Sequence, residues 1–224
     1  MLYESICMST LRILQCSATT LTNCVQEATD CILKGGIVAI PTDTVYGLTS
    51  SLFSIHKLYE VKRRQPNKPI AFCLADVSDI ALYADVDIPA ELLNRLLPGP
   101  VTVLFRQADH LPLLVNHSVV GFRVINHNFV MKLCQQVGQP LPLTSANIAN
   151  ERSCLEVSEF KSIHPNLSLI VDAGKISSSD PRSRIGSTVV DFSLPGTFKI
   201  VREGQALQHC LSVLTDSVYG LQQR

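Results

Sequence analysis

The sequence predicts one α/β domain built on a twisted, open, mixed sheet. Short apolar runs rich in β-branched residues recur along the chain and stop at Pro, Gly or hydroxyl residues, as buried strands do. Segments with helical spacing separate some of these runs but not others, and the last third is rich in strands, so this is not a repeating strand–helix–strand array. No linker, repeat or low-complexity block divides the 224 residues. A chain of that length can bury a sizeable core without covalent staples.

Taken in order, residues 11–14 read as a first strand preceded by a frayed tail. Residues 22–33 read as a helix, because Cys24, Val25, Ala28, Cys31 and Ile32 recur at helical spacing and Gly35-Gly36 ends the pattern. Residues 37–40 form an apolar strand stopped by Pro41, and 46–51 a short extended piece. Residues 55–63 are helical by the spacing of Ile55, Leu58, Tyr59 and Lys62, and 70–74 a strand. Helices are expected over 79–83 and 89–97, then a firm turn at Pro98-Gly99-Pro100. Residues 101–105 and 120–124 are strands, 129–137 a helix ending near Gly138, and 141–144 a short strand. Residues 158–163 are expected to be helical, 169–172, 188–192 and 198–202 to be strands, and 206–214 to be a closing helix. The Ser-rich stretch 177–183 is a flexible loop. The expected organisation is a tail or first strand over 1–20, a main unit over 21–207, and a C-terminal helix and tail over 208–224.

Hydrophobic residues make up 46% of the chain and charged residues 17%, below the roughly 25% of typical soluble domains. That favours a compact enzyme-like body over a disordered chain. The formal net charge of +0 argues against a dedicated nucleic-acid coat protein. The eight cysteines show neither C-x-x-C spacing nor a companion His cluster. They read as small buried hydrophobes in a reducing, cytoplasmic compartment, in preference to a secreted disulfide framework. No apolar run reaches the roughly 18 residues that span a bilayer. Residues 1–20 hold one cation, Arg12, where a mitochondrial presequence would be Arg-rich; an organellar pool stays open.

Four polar stretches carry the chemistry: residues 41–48, 62–64 with 68–69, 144–147 and 186–191. Lys62, Arg63, Arg64 and Lys68 are the densest cationic run. They suit a solvated helix end, where cations offset the helix dipole, or a polyphosphate, to which Arg offers a planar fork and Lys a point charge. No P-loop motif is present, so side chains would have to hold any nucleotide. Thr42, Asp43, Thr44 and Tyr46 leave a buried strand through Pro41. Their hydroxyls can satisfy local backbone or bind a small polar ligand beyond the sheet. Ser145 and Asn147 follow an apolar strand and suit a cap or turn. Ser145 has no nearby His and no G-x-S-x-G elbow, so substrate hydrogen bonding is the better functional reading. Arg123 lies inside an apolar strand and needs an anion or an exposed face; Arg184, Ser187 and Arg202 are similar cases. His110, His117, His127 and His164 show no ligand spacing and read as surface or loop residues.

Read in order, these stretches resemble the YrdC-like family of threonylcarbamoyl-adenylate synthases, over roughly residues 21–207. The resemblance rests on the segment from Pro41 to Leu48, Lys62-x-Arg64 with Lys68-Pro69, the turn from Pro98 into Val101-Thr102, Gly121-Phe122-Arg123-Val124, Ser145-x-Asn147, the run from Gly186 to Asp191, and Val201-Arg202-Glu203-Gly204. The family implies a twisted open sheet with a concave, positively lined cavity. It implies that L-threonine, bicarbonate and ATP, with Mg²⁺, give threonylcarbamoyl-adenylate and pyrophosphate. The product is then passed to a tRNA threonylcarbamoyl-transferase complex, for adenosine 37 of tRNAs reading codons that begin with A. By the same resemblance Thr44, Arg123, Ser145 and Ser187 hold threonine. Arg64, Lys68, Asn147 and Arg202 hold ATP with Lys62 near the phosphates, and Lys62 and Arg64 carry catalysis. No protein metal site is implied, and direct tRNA binding is not required. The sequence departs from many relatives at Cys73 (often His), Lys68 (often Asn) and Val119 (often Thr). Two other readings compete: a non-catalytic RNA-binding module that uses the basic cavity, and a relative acting on carbamoyl phosphate.

Overall fold

The computed structural model describes residues 11–65, 68–108, 118–176 and 181–224. Strand β1 (Arg12–Gln15) leads into helix α1 (Leu21–Leu33), which buries Cys24, Val25, Ala28 and Ile32, the stripe expected from spacing. Strands β2 (Val38–Ile40) and β3 (Gly47–Thr49) flank the turn of residues 41–46. A 3-10 turn (Leu52–Ser54) precedes α2 (Ile55–Val61). Then come β4 (Ala71–Cys73), a 3-10 turn (Ser78–Leu82) in place of the expected helix, β5 (Ala84–Asp85), α3 (Ala90–Leu96), β6 (Val101–Gln107) and β7 (Val119–Arg123). Helix α4 (Asn128–Val137) stops at Gly138, whose φ of 69° is the left-handed conformation that closes a helix.

Strand β8 (Leu141–Ser145) follows. The helix expected over 158–163 is instead a pair of 3-10 turns (Val157–Asn166) broken at Phe160. Strands β9 (Leu169–Asp172), β10 (Thr188–Asp191), β11 (Thr197–Arg202) and β12 (Gln222–Gln223) and helix α5 (Leu207–Leu214) complete the chain. The loop expected over 177–183 lies partly outside the described residues; its end is a 3-10 turn (Pro181–Arg184).

The strands form one mixed sheet in the order β1-β9-β2-β3-β8-β4-β7-β6-β10-β11-β12, with β5 paired to β6. Parallel pairs such as β4–β7 and β6–β10 alternate with antiparallel ones such as β3–β8 and β6–β7. Side chains alternate between the two faces. Phe72, Val103, Phe105, Val120 and Phe122 turn to one face and pack under α3 and α5. On the other face Val38, Ile40, Cys73 and Leu141 pack under α1 and α4. Farther along that second face stand Ala71, Gly121, Thr102, Leu104 and Val189, and there the small residues leave a hollow. The Cys73 thiol, 1% exposed and 3.6 Å from that of Cys134, sits under α4 rather than in the hollow. Cys7 lies outside the described residues. The other seven cysteines are free thiols.

Candidate functional site

The hollow is a cavity of about 520 Å³ where six strand ends meet. Thr42 and Thr44 reach it from the β2–β3 turn, Ser145 from the end of β8, Arg123 from the end of β7, Ser187 from the start of β10, Arg202 from the end of β11, and Arg64 from the exit of α2. Register explains the convergence. Gly47 faces Ser145, Cys73 faces Arg123, and Thr102 faces Val189, which in turn faces Arg202.

Each wall is locked by local chemistry. The Thr42 hydroxyl donates to Val45 O at 2.6 Å and accepts from Thr44 N at 3.1 Å and Val45 N at 3.2 Å. It lies 3.1 Å from the Thr44 hydroxyl. The buried Tyr46 hydroxyl donates to Gly174 O at 2.8 Å, which ties this turn to the end of β9. Ser187 Oγ lies 2.7 Å from Thr102 Oγ1 and accepts from Arg202 Nη2 at 2.9 Å. Arg202 also donates through Nε and Nη2 to Ser187 O. Gly204 permits this approach, because a Cβ there would stand 2.2 Å from Ser187 C and Thr188 N.

The cations are crowded. Burial of its head group, and then the charges of Arg123 and Arg64, hold the Arg202 guanidinium below its usual range, although the residue as a whole is exposed. Burial does the same to Arg64, whose Nη2 donates to Pro69 O at 2.8 Å and whose Nε is buried without a partner among the described residues. Arg123, 7% exposed, pairs through Nη2 with Asp43 Oδ1 at 2.6 Å, and among the described residues its buried Nε is likewise unpartnered. Arginines that face one another with unused donors suit an anionic ligand.

Three of the residues expected from sequence stand outside the cavity lining. Lys62, 3% exposed, donates from Nζ to Ser145 O and Asn147 O at 2.6 Å each, and to Ser145 Oγ at 3.3 Å. Burial, helped by Arg64, pushes its ammonium down to about 8. Asn147 donates to Ile148 O and Glu151 O, and its Oδ1 is buried without a partner. Lys68 is exposed, at the edge of the segment that carries Pro69.

Sequence reasoning missed Asp43 as the partner of Arg123, and Thr102 as the partner of Ser187. An acid between two threonines in an anion-facing segment was the available signal. Arg184 is not an open strand cation: it makes a two-point ion pair with Glu159 and donates to Ser153 O. Among the histidines, His110 and His117 lie outside the described residues. His127 is a loop residue just before α4, half-buried, with Nδ1 enclosed and without a partner among the described residues. His164 packs against Phe160.

Fold and site together define an α/β protein whose mixed sheet carries a hollow lined by hydroxyls and three arginines. The Sua5/YciO/YrdC family model, described as "Telomere recombination", matches residues 30–204. The threonylcarbamoyl-AMP synthase of Mus musculus is 45% identical over 193 residues, covering 84% of this chain and 69% of that one. The Homo sapiens protein of the same name is 42% identical over the same shares. Among solved structures, P. abyssi Sua5 complexed with L-threonine superposes with a TM-score of 0.79 at 23% identity, covering 96% of this chain and 62% of that one. E. coli YciO gives 0.75 at 21% identity, with 88% and 97% covered. The chain belongs to the Sua5/YciO/YrdC family.

Proposed function

We infer that the chain is a threonylcarbamoyl-AMP synthase, in which threonine and ATP occupy the two ends of the β-sheet cavity. The convergence of Thr44, Arg64, Arg123, Ser145, Ser187 and Arg202 on that one cavity carries the reading. The amine of L-threonine combines with bicarbonate to give a carbamate and water. A carbamate oxygen then attacks the α-phosphorus of ATP, the bond to the β-phosphate oxygen breaks, and pyrophosphate leaves with its charge. The protein's work is alignment and neutralisation. Arg123 takes the threonine carboxylate by its fork, and the hydroxyls of Thr44, Ser145 and Ser187 hold the amino-acid end. Arg64, Arg202, Lys68 and Asn147 hold the nucleotide. Lys62 fixes the Ser145–Asn147 segment and adds a positive charge near the phosphates. Mg²⁺ enters with ATP as part of that substrate.

The adenylate feeds threonylcarbamoylation of tRNA through a separate transferase complex, in a reducing cytoplasmic setting with an organellar pool. The free thiols agree with that setting, and no described helix is long and apolar enough to cross a membrane. The test is pyrophosphate release with MgATP. Release that requires both threonine and bicarbonate is the expected result. Release without threonine, or none at all, sinks the reading, and release with carbamoyl phosphate instead redirects it.

A further inference from the structure

Arg64, Arg123 and Arg202 share one cavity, yet the reaction needs two different anions kept apart there: a monovalent carboxylate and a polyvalent triphosphate. Only charge and geometry can sort them. Arg64 and Arg202 direct their guanidinium groups to the neutral carbonyls of Pro69 and Ser187 and have no carboxylate partner among the described residues. Arg123 differs, because its Nη2 meets Asp43 Oδ1 at 2.6 Å with both side chains 9% exposed. Asp43 is itself fixed at its other oxygen, which accepts from Asn126 N at 3.1 Å. It stands behind the cavity wall, between Thr42 and Thr44, which line it.

We propose that Asp43 is a positioning residue that reserves Arg123 for a carboxylate and denies it to the phosphates; this rests on the reading that Arg123 receives threonine. Two effects combine. The pair Arg123–Asp43 has no net charge, so it is a poor sink for a polyanion, which goes instead to the uncompensated arginines. Attraction alone gives no such discrimination; a repulsive element beside one arginine does. The second effect is orientation. A guanidinium held at Nη2 by a carboxylate that is itself anchored keeps its other terminal nitrogen, Nη1, in a constant direction at the cavity that Arg123 lines, ready for a short carboxylate that needs directed hydrogen bonds.

The test is equilibrium binding of L-threonine to the full chain, with and without saturating inorganic pyrophosphate. In the wild-type protein pyrophosphate is expected to change threonine affinity by less than about threefold, because the two anions use different arginines. Asp43→Asn keeps the shape and removes the charge. In that variant pyrophosphate is expected to weaken threonine binding about tenfold or more, since Arg123 now attracts it. A purely structural role would lower the melting temperature without creating this competition. If Asp43→Asn does not fold, Asp43→Glu decides. Its charge should preserve indifference to pyrophosphate while the displaced carboxylate weakens threonine about tenfold; unchanged threonine affinity there overturns the proposal. An Asp43→Asn variant as indifferent to pyrophosphate as wild type overturns it alone. A wild-type protein that binds no threonine overturns it together with the reading on which it rests.

Discussion

Lys62 places an ammonium where hydrocarbon ordinarily packs, and three oxygens of one short segment receive it. Truncating Lys62 strands the buried Asn147 carbonyl, at a cost of about 1–3 kcal/mol, while Ser145 O keeps a hydrogen bond from Asn147 N at 3.0 Å. Lys62→Ala should therefore lose stability as well as turnover, read by thermal melting beside pyrophosphate release. The proton adds a second test. The folded group titrates near 8, below its value in the unfolded chain. Between about 8 and the ordinary lysine value the unfolded chain then holds more of this proton. The group's contribution to stability rises with pH over that window, while its positive charge, and with it ATP affinity, falls. An ATP-affinity profile with an inflection near 8 is expected, and it should vanish in Lys62→Met. Arg64 is the contrasting case. Half-exposed and bonded only to Pro69 O among the described residues, it can be removed with the fold intact. Arg64→Ala should raise the ATP KM by roughly 10- to 100-fold, the loss of one or two charge-assisted hydrogen bonds.

At the scale of elements, two contacts hold the cavity wall formed by β10 and β11. Gly204 lets the chain after β11 lie against Ser187, and any Cβ there meets backbone rather than a movable side chain. Gly204→Ala should cost about 1–3 kcal/mol as an overpacked contact and should loosen Arg202 from Ser187, seen as a lower melting temperature together with a raised ATP KM. The Arg184–Glu159 pair ties the turn before β10 to the segment carrying Ser153. The paired guanidinium pulls the Glu159 carboxyl down to about 2. Its folded value lies below its unfolded one, so this stabilisation is complete above the ordinary glutamate range and is lost as pH falls toward 2. Glu159→Gln should flatten the acid side of the melting profile there.

These elements were unevenly legible. Runs such as 37–40 and 120–124 announce buried strands by composition, and the stripe of α1 by its spacing. The 3-10 turns at Ser78–Leu82 and Val157–Asn166 share the apolar spacing of short helices, and the choice between them is made by packing. The two-residue strands β5 and β12 carry no periodicity to read.

For the whole molecule, a formal charge of +0 hides a local concentration of arginines. The types of residue at the site were legible, because hydroxyls and cations at strand ends are conspicuous against apolar runs. Their pairings were not. Arg123 and Asp43 are 80 residues apart, and only the sheet order brings them together. A binding surface for RNA would use many phosphates and lose affinity steeply with salt, whereas one cavity with three arginines should bind ATP with a shallower salt dependence. The most direct measurement is a crystal structure of the chain with L-threonine and a non-hydrolysable ATP analogue. The threonine carboxylate is expected on Arg123 and the triphosphate on Arg64 and Arg202, within the same cavity and with the amine facing the α-phosphorus. Ligands bound at separate surfaces, or a triphosphate seated on Arg123, would contradict it.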